Sequence, residues 1–157
     1  MIASTLARTI GKGAVAGLAG TAAMTISSTV EAKLRGRPFS TAPARAAQKV
    51  LGIKEFESPR DVARFSDLVH WGYGTGWGVV RALLGELGLG PRLATPAHFG
   101  ALWASELVML PTLEVAPPAY LWAKEEIAID VFHHVVYAAA AGLAYERIGR
   151  RGQSDRA

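Results

Sequence analysis

Four stretches of the chain are weakly charged and apolar, and charged connections separate them. They cover roughly residues 13–30, 65–84, 96–113 and 123–143. Each approaches the ~20 residues that a helix needs to cross about 30 Å of hydrocarbon. Glycine and alanine, more than leucine, supply their apolar character. This alternation predicts an all-α fold, an integral membrane bundle of about four transmembrane helices.

The composition fits one small membrane domain and excludes several classes of site. A chain of 157 residues is long enough for one domain, which we expect over residues 1–151 with a disordered tail over 152–157. Only 19% of the residues are charged, below the ~25% of soluble domains. The absence of cysteine excludes disulfides, thiolate metal ligands and a cysteine nucleophile.

The net charge of +4 raises the question of nucleic-acid binding. The basic residues flank the apolar stretches, where lysine and arginine anchor helices to lipid headgroups. We therefore expect the lipid bilayer as partner and no nucleic acid. Arg8 and Lys12 before the first stretch also fit a cleaved signal peptide. Because the apolar character continues to Val30, we favour a retained first span.

Glycines recur in the first two predicted spans at spacings that suit close helix packing. In a soluble helix each glycine costs about 1 kcal/mol relative to alanine. In lipid, small residues let helix backbones approach each other, and this approach drives association there. The residues predicted to make such contacts are Gly13, Gly17, Gly72, Gly74, Gly76 and Gly78.

The connection over residues 31–58 contains signals for a short helix. Pro43 is suited to a first helical turn and Gly52 to a helix end. Apolar and basic residues separate onto two faces between them, which is typical of an interfacial helix at the membrane surface. An ordinary loop helix packed on the bundle fits the pattern equally well.

Ionisable residues inside the predicted spans are costly in lipid and by default indicate function. They are His70 in the second span, Glu106 in the third, and Asp130, His133 and His134 in the fourth, where His133 lies to one side of the other two. Asp130 and His134 are four residues apart and therefore share a helix face. At 1.5 Å per residue, Glu106 lies about 15 Å from Pro96, near mid-membrane. We expect four of these side chains to meet in the bundle interior, namely His70, Glu106, Asp130 and His134.

Such a polar cluster permits several kinds of chemistry. Carboxylates and imidazoles can relay protons, since their surroundings shift their proton affinity. They can also bind a divalent metal, for which the candidates are His70, Glu106 and His134. The alternative is that histidine–carboxylate hydrogen bonds only hold the helices together. No residue is identified as catalytic and no cofactor is expected.

Three functions remain open from the residues alone. The first is proton or ion handling through the polar cluster. The second is a structural or accessory subunit that binds another membrane protein, or itself, through its glycine faces. The third is an intramembrane metal-dependent enzyme, for which the chain lacks the HExxH spacing of two histidines on one helix face.

Three segments resemble one known family. LVHWGYGTGWG, ELVMLPTLEVAPP and IDVFHHVVY are similar to segments of the YagU-like family of small bacterial inner-membrane proteins, a family of unknown function. The resemblance covers about residues 13–146. It implies four helices and polar positions at His70, at Glu106 before Pro111, and at Asp130 with His134. It implies no reaction.

The expected location is a bacterial inner membrane. Arginine is much more frequent than lysine and alanine is abundant, as is typical of GC-rich bacterial genomes. Four spans place both termini on one side of the membrane. The basic residues after the fourth span favour a cytoplasmic location for both termini, whereas the larger number of basic residues on the other side favours the reverse, so the positive-inside rule leaves the orientation open.

Overall fold

The computed structural model describes residues 2–38 and 40–154, and these residues form helices and connections without a β-strand. The all-α class is therefore confirmed, as is a short helix in the first connection. The helices are α1 (Ile2–Arg35), α2 (Ala42–Leu51), α3 (Pro59–Glu86), α4 (Pro91–Thr112) and α5 (Lys124–Ser154), with a 3₁₀ turn at Ala119–Leu121.

Local signals in the sequence set the bounds of α2 and the start of α3. Proline stands in the first turn of each helix. Gly52 ends α2 in the left-handed conformation, with φ of 68°, which a residue without Cβ adopts at little cost. At the start of α3, the Ser58 hydroxyl oxygen accepts a hydrogen bond from the backbone N–H of Asp61 at 3.3 Å.

α2 lies against the bundle through its alanine face. Ala44 and Ala46 are buried, and Ala46 packs in a cluster with Leu110 and Val115. Val50, by contrast, is exposed. Of the two alternatives that fit the sequence, the structure thus has the loop helix packed on the bundle. Contact of α2 with a membrane surface stays a prediction.

The bundle is built around α1, which packs mainly against α3 and α5, while α4 packs on α5. At one end, Thr9 near the start of α1 donates a hydrogen bond to Glu86 at the end of α3. At the other end, Arg35 pairs with Glu126 at the start of α5, with 2.9 Å between Nη2 and Oε1. α1 therefore begins and α5 ends at the same end of the bundle.

The ends of the chain are more helical than expected. α1 starts at Ile2, well before the first predicted span, and α5 continues to Ser154. The helix thus continues through the basic residues after the apolar stretch, and the disordered tail over residues 152–157 stays a prediction. Residues 155–157 lie outside the described part of the chain.

Four of the six glycines predicted to pack lie at the α1–α3 contact. A Cβ on Gly13 would lie 2.7 Å from the Val79 Cα. One on Gly17 would lie 2.8 Å from the Thr75 Cα. From α3, a Cβ on Gly78 would overlap the backbone of α1, and one on Gly74 would overlap the Thr21 side chain.

The packing role predicted for the other two glycines is wrong. A Cβ on Gly72 or Gly76 would meet nothing within 4 Å. Gly74 and Gly78 are four residues apart and share one face, as do Gly72 and Gly76. The two pairs are offset by two residues, about 200° around the helix, so only one pair can face α1.

Among the described helices, α1 and α5 are long and apolar enough to cross a membrane. α3 has 28 residues and α4 has 22, so both have sufficient length. They are less apolar, because α3 carries charged residues in its first turns as well as Arg81, and α4 contains Glu106, two internal prolines and several small residues. Two of the four predicted spans thus meet the criteria of length and composition.

Candidate functional site

A cluster of ionisable side chains lies between α4 and α5. Glu106 projects from α4, and Asp130 and His134 lie one turn apart on α5. Nε2 of His134 is 2.7 Å from Oε2 of Glu106, and the two side chains are only 9% and 19% exposed. Nδ1 of His134 lies 3.6 Å from Oδ1 of Asp130. The predicted contact between Glu106 and His134 is present, with Asp130 beside it.

The contacts of His134 limit the protonation states that this imidazole and Glu106 can adopt together. Nδ1 lies 2.9 Å from the backbone carbonyl oxygen of Asp130. A carbonyl only accepts, so Nδ1–H is the donor. Nε2 then faces the Glu106 oxygen at a distance that two lone pairs would not tolerate. One of the two groups must therefore carry a proton, as imidazolium beside carboxylate or as imidazole beside carboxylic acid, although Oε2 of Glu106 has no hydrogen bond of normal geometry among the described residues.

Trp103, which the sequence analysis did not identify, orients the third member of the cluster. Its indole N–H donates to Oδ2 of Asp130 at 2.8 Å. The ring stacks on Phe99, with centroids 5.9 Å apart. An indole N–H in apolar surroundings needs an acceptor, and Trp103 precedes Glu106 by one helical turn. This spacing of three residues puts Trp103 and Glu106 on the same side of α4, and it is the sequence signal by which Trp103 could have been placed near the cluster.

His70 does not join the cluster, and this part of the prediction is wrong. Its Nε2 lies 2.8 Å from the Thr25 hydroxyl oxygen on α1. The reason is the rotation of α3. His70 lies on the same i, i+4 stripe as Gly74 and Gly78, and close packing at Gly78 turns this stripe toward α1. The depth of His70 in the span gave no information about its direction.

The metal-binding potential of the cluster also differs from the prediction. One donor atom each from Glu106, Asp130 and His134 lie within 4.8 Å of one another. Asp130 thus stands where His70 was expected, and these three residues could hold a divalent ion. Neighbouring ligands with bonds of 2.0–2.2 Å in a tetrahedral site lie roughly 3.3 Å apart. The 2.7 Å contact between Nε2 of His134 and Oε2 of Glu106 is shorter than this spacing.

Other buried polar groups were not identified from the sequence as parts of a site. Arg81 has a side chain that is 1% exposed and pairs with Glu146, with 2.9 Å between Nη2 and Oε1. His98 is fully buried and its Nε2 lies 2.9 Å from the Trp77 carbonyl oxygen. His133 is buried on the side of α5 that faces α1. Their partners lie far away in sequence, and the chain offers no local signal for them.

No family model matches the chain, and no curated protein or solved structure is significantly similar to it. The resemblance to the YagU-like family therefore stays a prediction, and the geometry of the cluster is the main guide to function.

Proposed function

We propose that the chain is a small multi-pass protein of a bacterial inner membrane that handles protons. In this proposal α1, α3, α4 and α5 cross the bilayer with both termini in the cytoplasm, and the chain is a member of the YagU-like family. The Glu106–Asp130–His134 cluster binds the protons. The observation that carries the proposal is the 2.7 Å contact between Nε2 of His134 and Oε2 of Glu106 within the bundle.

The outer surface of the bundle supports a lipid environment. Only 28% of the most apolar window of α1 and 33% of that of α5 are buried, so neither helix resembles the core helix of a soluble protein. Monomeric soluble proteins rarely expose large contiguous apolar patches. Exposed apolar side chains occur along both helices and include Leu6, Ile10, Val15, Leu18, Ile26, Val30, Phe132, Val135 and Leu143.

The polar residues of α3 and α4 are compatible with two further spans. In α4 the charged residues are Arg92 in the first turn and Glu106 in the cluster. In α3, Arg81 is fully buried within the bundle. The other charges of α3 lie near its two ends. A helix whose charges point inward or lie at its ends can face lipid with its remaining surface.

Charge balance in the interior favours proton binding at the cluster. With a neutral His134 and ionised Glu106 and Asp130, the cluster would carry a net charge of −2. A buried charge without a counter-charge is costly, and each bound proton reduces this charge. In this proposal the Glu106–His134 pair binds one such proton. The Trp103 N–H stabilises the Asp130 carboxylate.

Proton uptake by liposomes that contain the purified protein tests the proposal. Under a potassium diffusion potential, we expect the parent protein to acidify the lumen faster than in protein-free liposomes, as read by an enclosed pH-sensitive dye. Glu106→Gln should abolish the difference, because glutamine cannot exchange a proton. Glu114→Gln is the matched control, since this side chain is 84% exposed and lies outside the cluster. A parent protein no faster than empty liposomes would refute the proposal.

A second candidate is an accessory subunit that binds another membrane protein or a second copy. Gly72 and Gly76 support it, because both are exposed and leave open space beside Trp71 and Tyr73, which are also exposed. This candidate predicts no proton uptake by the isolated protein. Metal analysis of the purified protein would separate both candidates from a metal-dependent enzyme.

A further inference from the structure

His133 forms a second histidine–carboxylate arrangement, directed at α1 rather than at α4. Nδ1 of His133 lies 2.9 Å from the Ser27 hydroxyl oxygen. That hydroxyl donates to the Met24 carbonyl at 3.0 Å. We assign the single hydrogen of this hydroxyl to the Met24 carbonyl, so that the Ser27 oxygen accepts from Nδ1–H of His133. The neutral His133 therefore has its lone pair on Nε2.

This lone pair is buried and lacks a hydrogen-bond donor. The side chain of His133 is 6% exposed, and its Nε2 has no hydrogen-bond partner among the described residues. The nearest acidic atom is Oε2 of Glu31, at 3.7 Å. An unpartnered buried nitrogen that faces a carboxylate is placed to take up a proton, since the imidazolium would then be paired with a counter-charge.

Glu31 already has cationic partners at this end of the bundle. Arg37 donates from Nε to Oε1 at 2.9 Å, and its Nη2 contacts Oε2. Nη1 of Arg35 lies 3.7 Å from Oε1, and its Nη2 pairs with Glu126. Oε2, the Glu31 oxygen nearest to His133, is thus one of the two oxygens that Arg37 contacts. His133 and Arg37 therefore face the same carboxylate oxygen.

We propose that His133 is a second proton-binding site and that Glu31 exchanges Arg37 for protonated His133. The proton comes from water at the end of the bundle where Arg35 and Glu126 are exposed. It binds the Nε2 lone pair and makes an imidazolium, which then donates to Oε2 of Glu31. Arg37 gives up its hydrogen bond to that oxygen. The N–H bond on Nε2 is the only covalent bond that forms.

The exchange would act on the start of the first connection. Arg37 also donates to the Pro38 carbonyl oxygen at 3.2 Å, and its backbone N–H bonds to Ala32. Release of its side chain from Glu31 removes one of the contacts that hold residues 36–38 to the end of α1, while the backbone hydrogen bonds to Ala32 and Lys33 remain. The charged groups around His133 are Glu31, Arg35, Arg37 and Glu126, with His134 as its neighbour on α5. The site uses atoms other than those of the Glu106–His134 contact, so it does not depend on the proposed function.

Nitrogen NMR of ¹⁵N-histidine-labelled protein in bilayers tests this inference. The four histidines can be assigned by single His→Gln variants. At alkaline pH we expect the Nδ1–H tautomer for His133, with a change to the doubly protonated form on acidification. At a fixed acidic pH, Glu31→Gln should lower the protonated fraction of His133, because the counter-charge is lost. Arg37→Gln should raise it, because a competing cation is removed.

Opposite shifts in these two variants distinguish the exchange from general damage. Glu114→Gln, which alters an exposed carboxylate elsewhere, should leave the protonated fraction unchanged. Unchanged signals from the other histidines report that each variant is folded. If Glu31→Gln fails to fold, the rise in Arg37→Gln alone still decides the question. An Nε2–H tautomer at alkaline pH, a His133 that stays neutral on acidification, or no rise in Arg37→Gln would overturn the inference.

Discussion

Replacement of Gly78 by alanine is expected to lower the melting temperature in detergent sharply, and replacement by leucine to leave little folded protein. The added Cβ would overlap the carbonyl oxygen of Gly13 and the backbone of Gly17. A backbone cannot move aside as a flexible side chain can, so α1 and α3 would have to separate. Overpacking of this kind costs roughly 1–3 kcal/mol, and occasionally more. Total stabilities of only ~5–15 kcal/mol are typical.

Gly76→Ala is the matched control on the same helix. A Cβ at this position meets nothing within 4 Å, and alanine favours the helix by up to about 1 kcal/mol over glycine. We therefore expect Gly76→Ala to melt at the temperature of the parent or slightly above. Equal melting temperatures for Gly78→Ala and Gly76→Ala would show that the α1–α3 contact is not the one described.

Glu106→Gln and His134→Gln are expected to destabilise the protein together by much less than the sum of their separate effects. Each single variant leaves one buried group without its partner, which costs about 3–5 kcal/mol for a charged pair. Once one partner is gone, loss of the other removes no further contact. A double-mutant cycle on thermal unfolding should give an interaction energy of roughly 0.5–3 kcal/mol.

His70→Gln combined with Glu106→Gln provides the control cycle. His70 bonds to Thr25 on α1 and shares no partner with Glu106. The two effects should therefore add within about 0.5 kcal/mol. Strict additivity in the Glu106–His134 cycle would remove the cluster as a coupled unit. Coupling of His70 to Glu106 would instead restore the four-residue site that the sequence indicated.

The helical framework could be predicted from the sequence because its signals are local. Pro59 after Ser58 begins α3, and Gly52 ends α2, through hydrogen bonds or dihedral angles within a few residues. The spacing of Asp130 and His134 likewise fixes their common face on one helix. The depth of Glu106 then sufficed to place it beside His134, since α4 and α5 pack against each other.

The rotation of α3 could not be read from depth alone. His70 follows the stripe of Gly74 and Gly78, so the choice between the two glycine pairs decides which way His70 points. Both pairs have the same spacing, and only the packing against α1 separates them. His133 lies to one side of the stripe that Asp130 and His134 share, and the carboxylate nearest to it, Glu31, is on another helix just beyond a predicted span. Contacts between distant segments leave no periodic pattern in the chain.

Extraction of membranes from expressing cells tests the central claim, an integral membrane bundle, most directly. High salt screens the charges that hold a basic peripheral protein to lipid headgroups, and alkaline carbonate strips peripheral proteins from the membrane sheets. A protein whose helices face lipid over their apolar surfaces should stay in the membrane pellet through both treatments and dissolve only in detergent. Release into the supernatant by salt or carbonate would contradict the account.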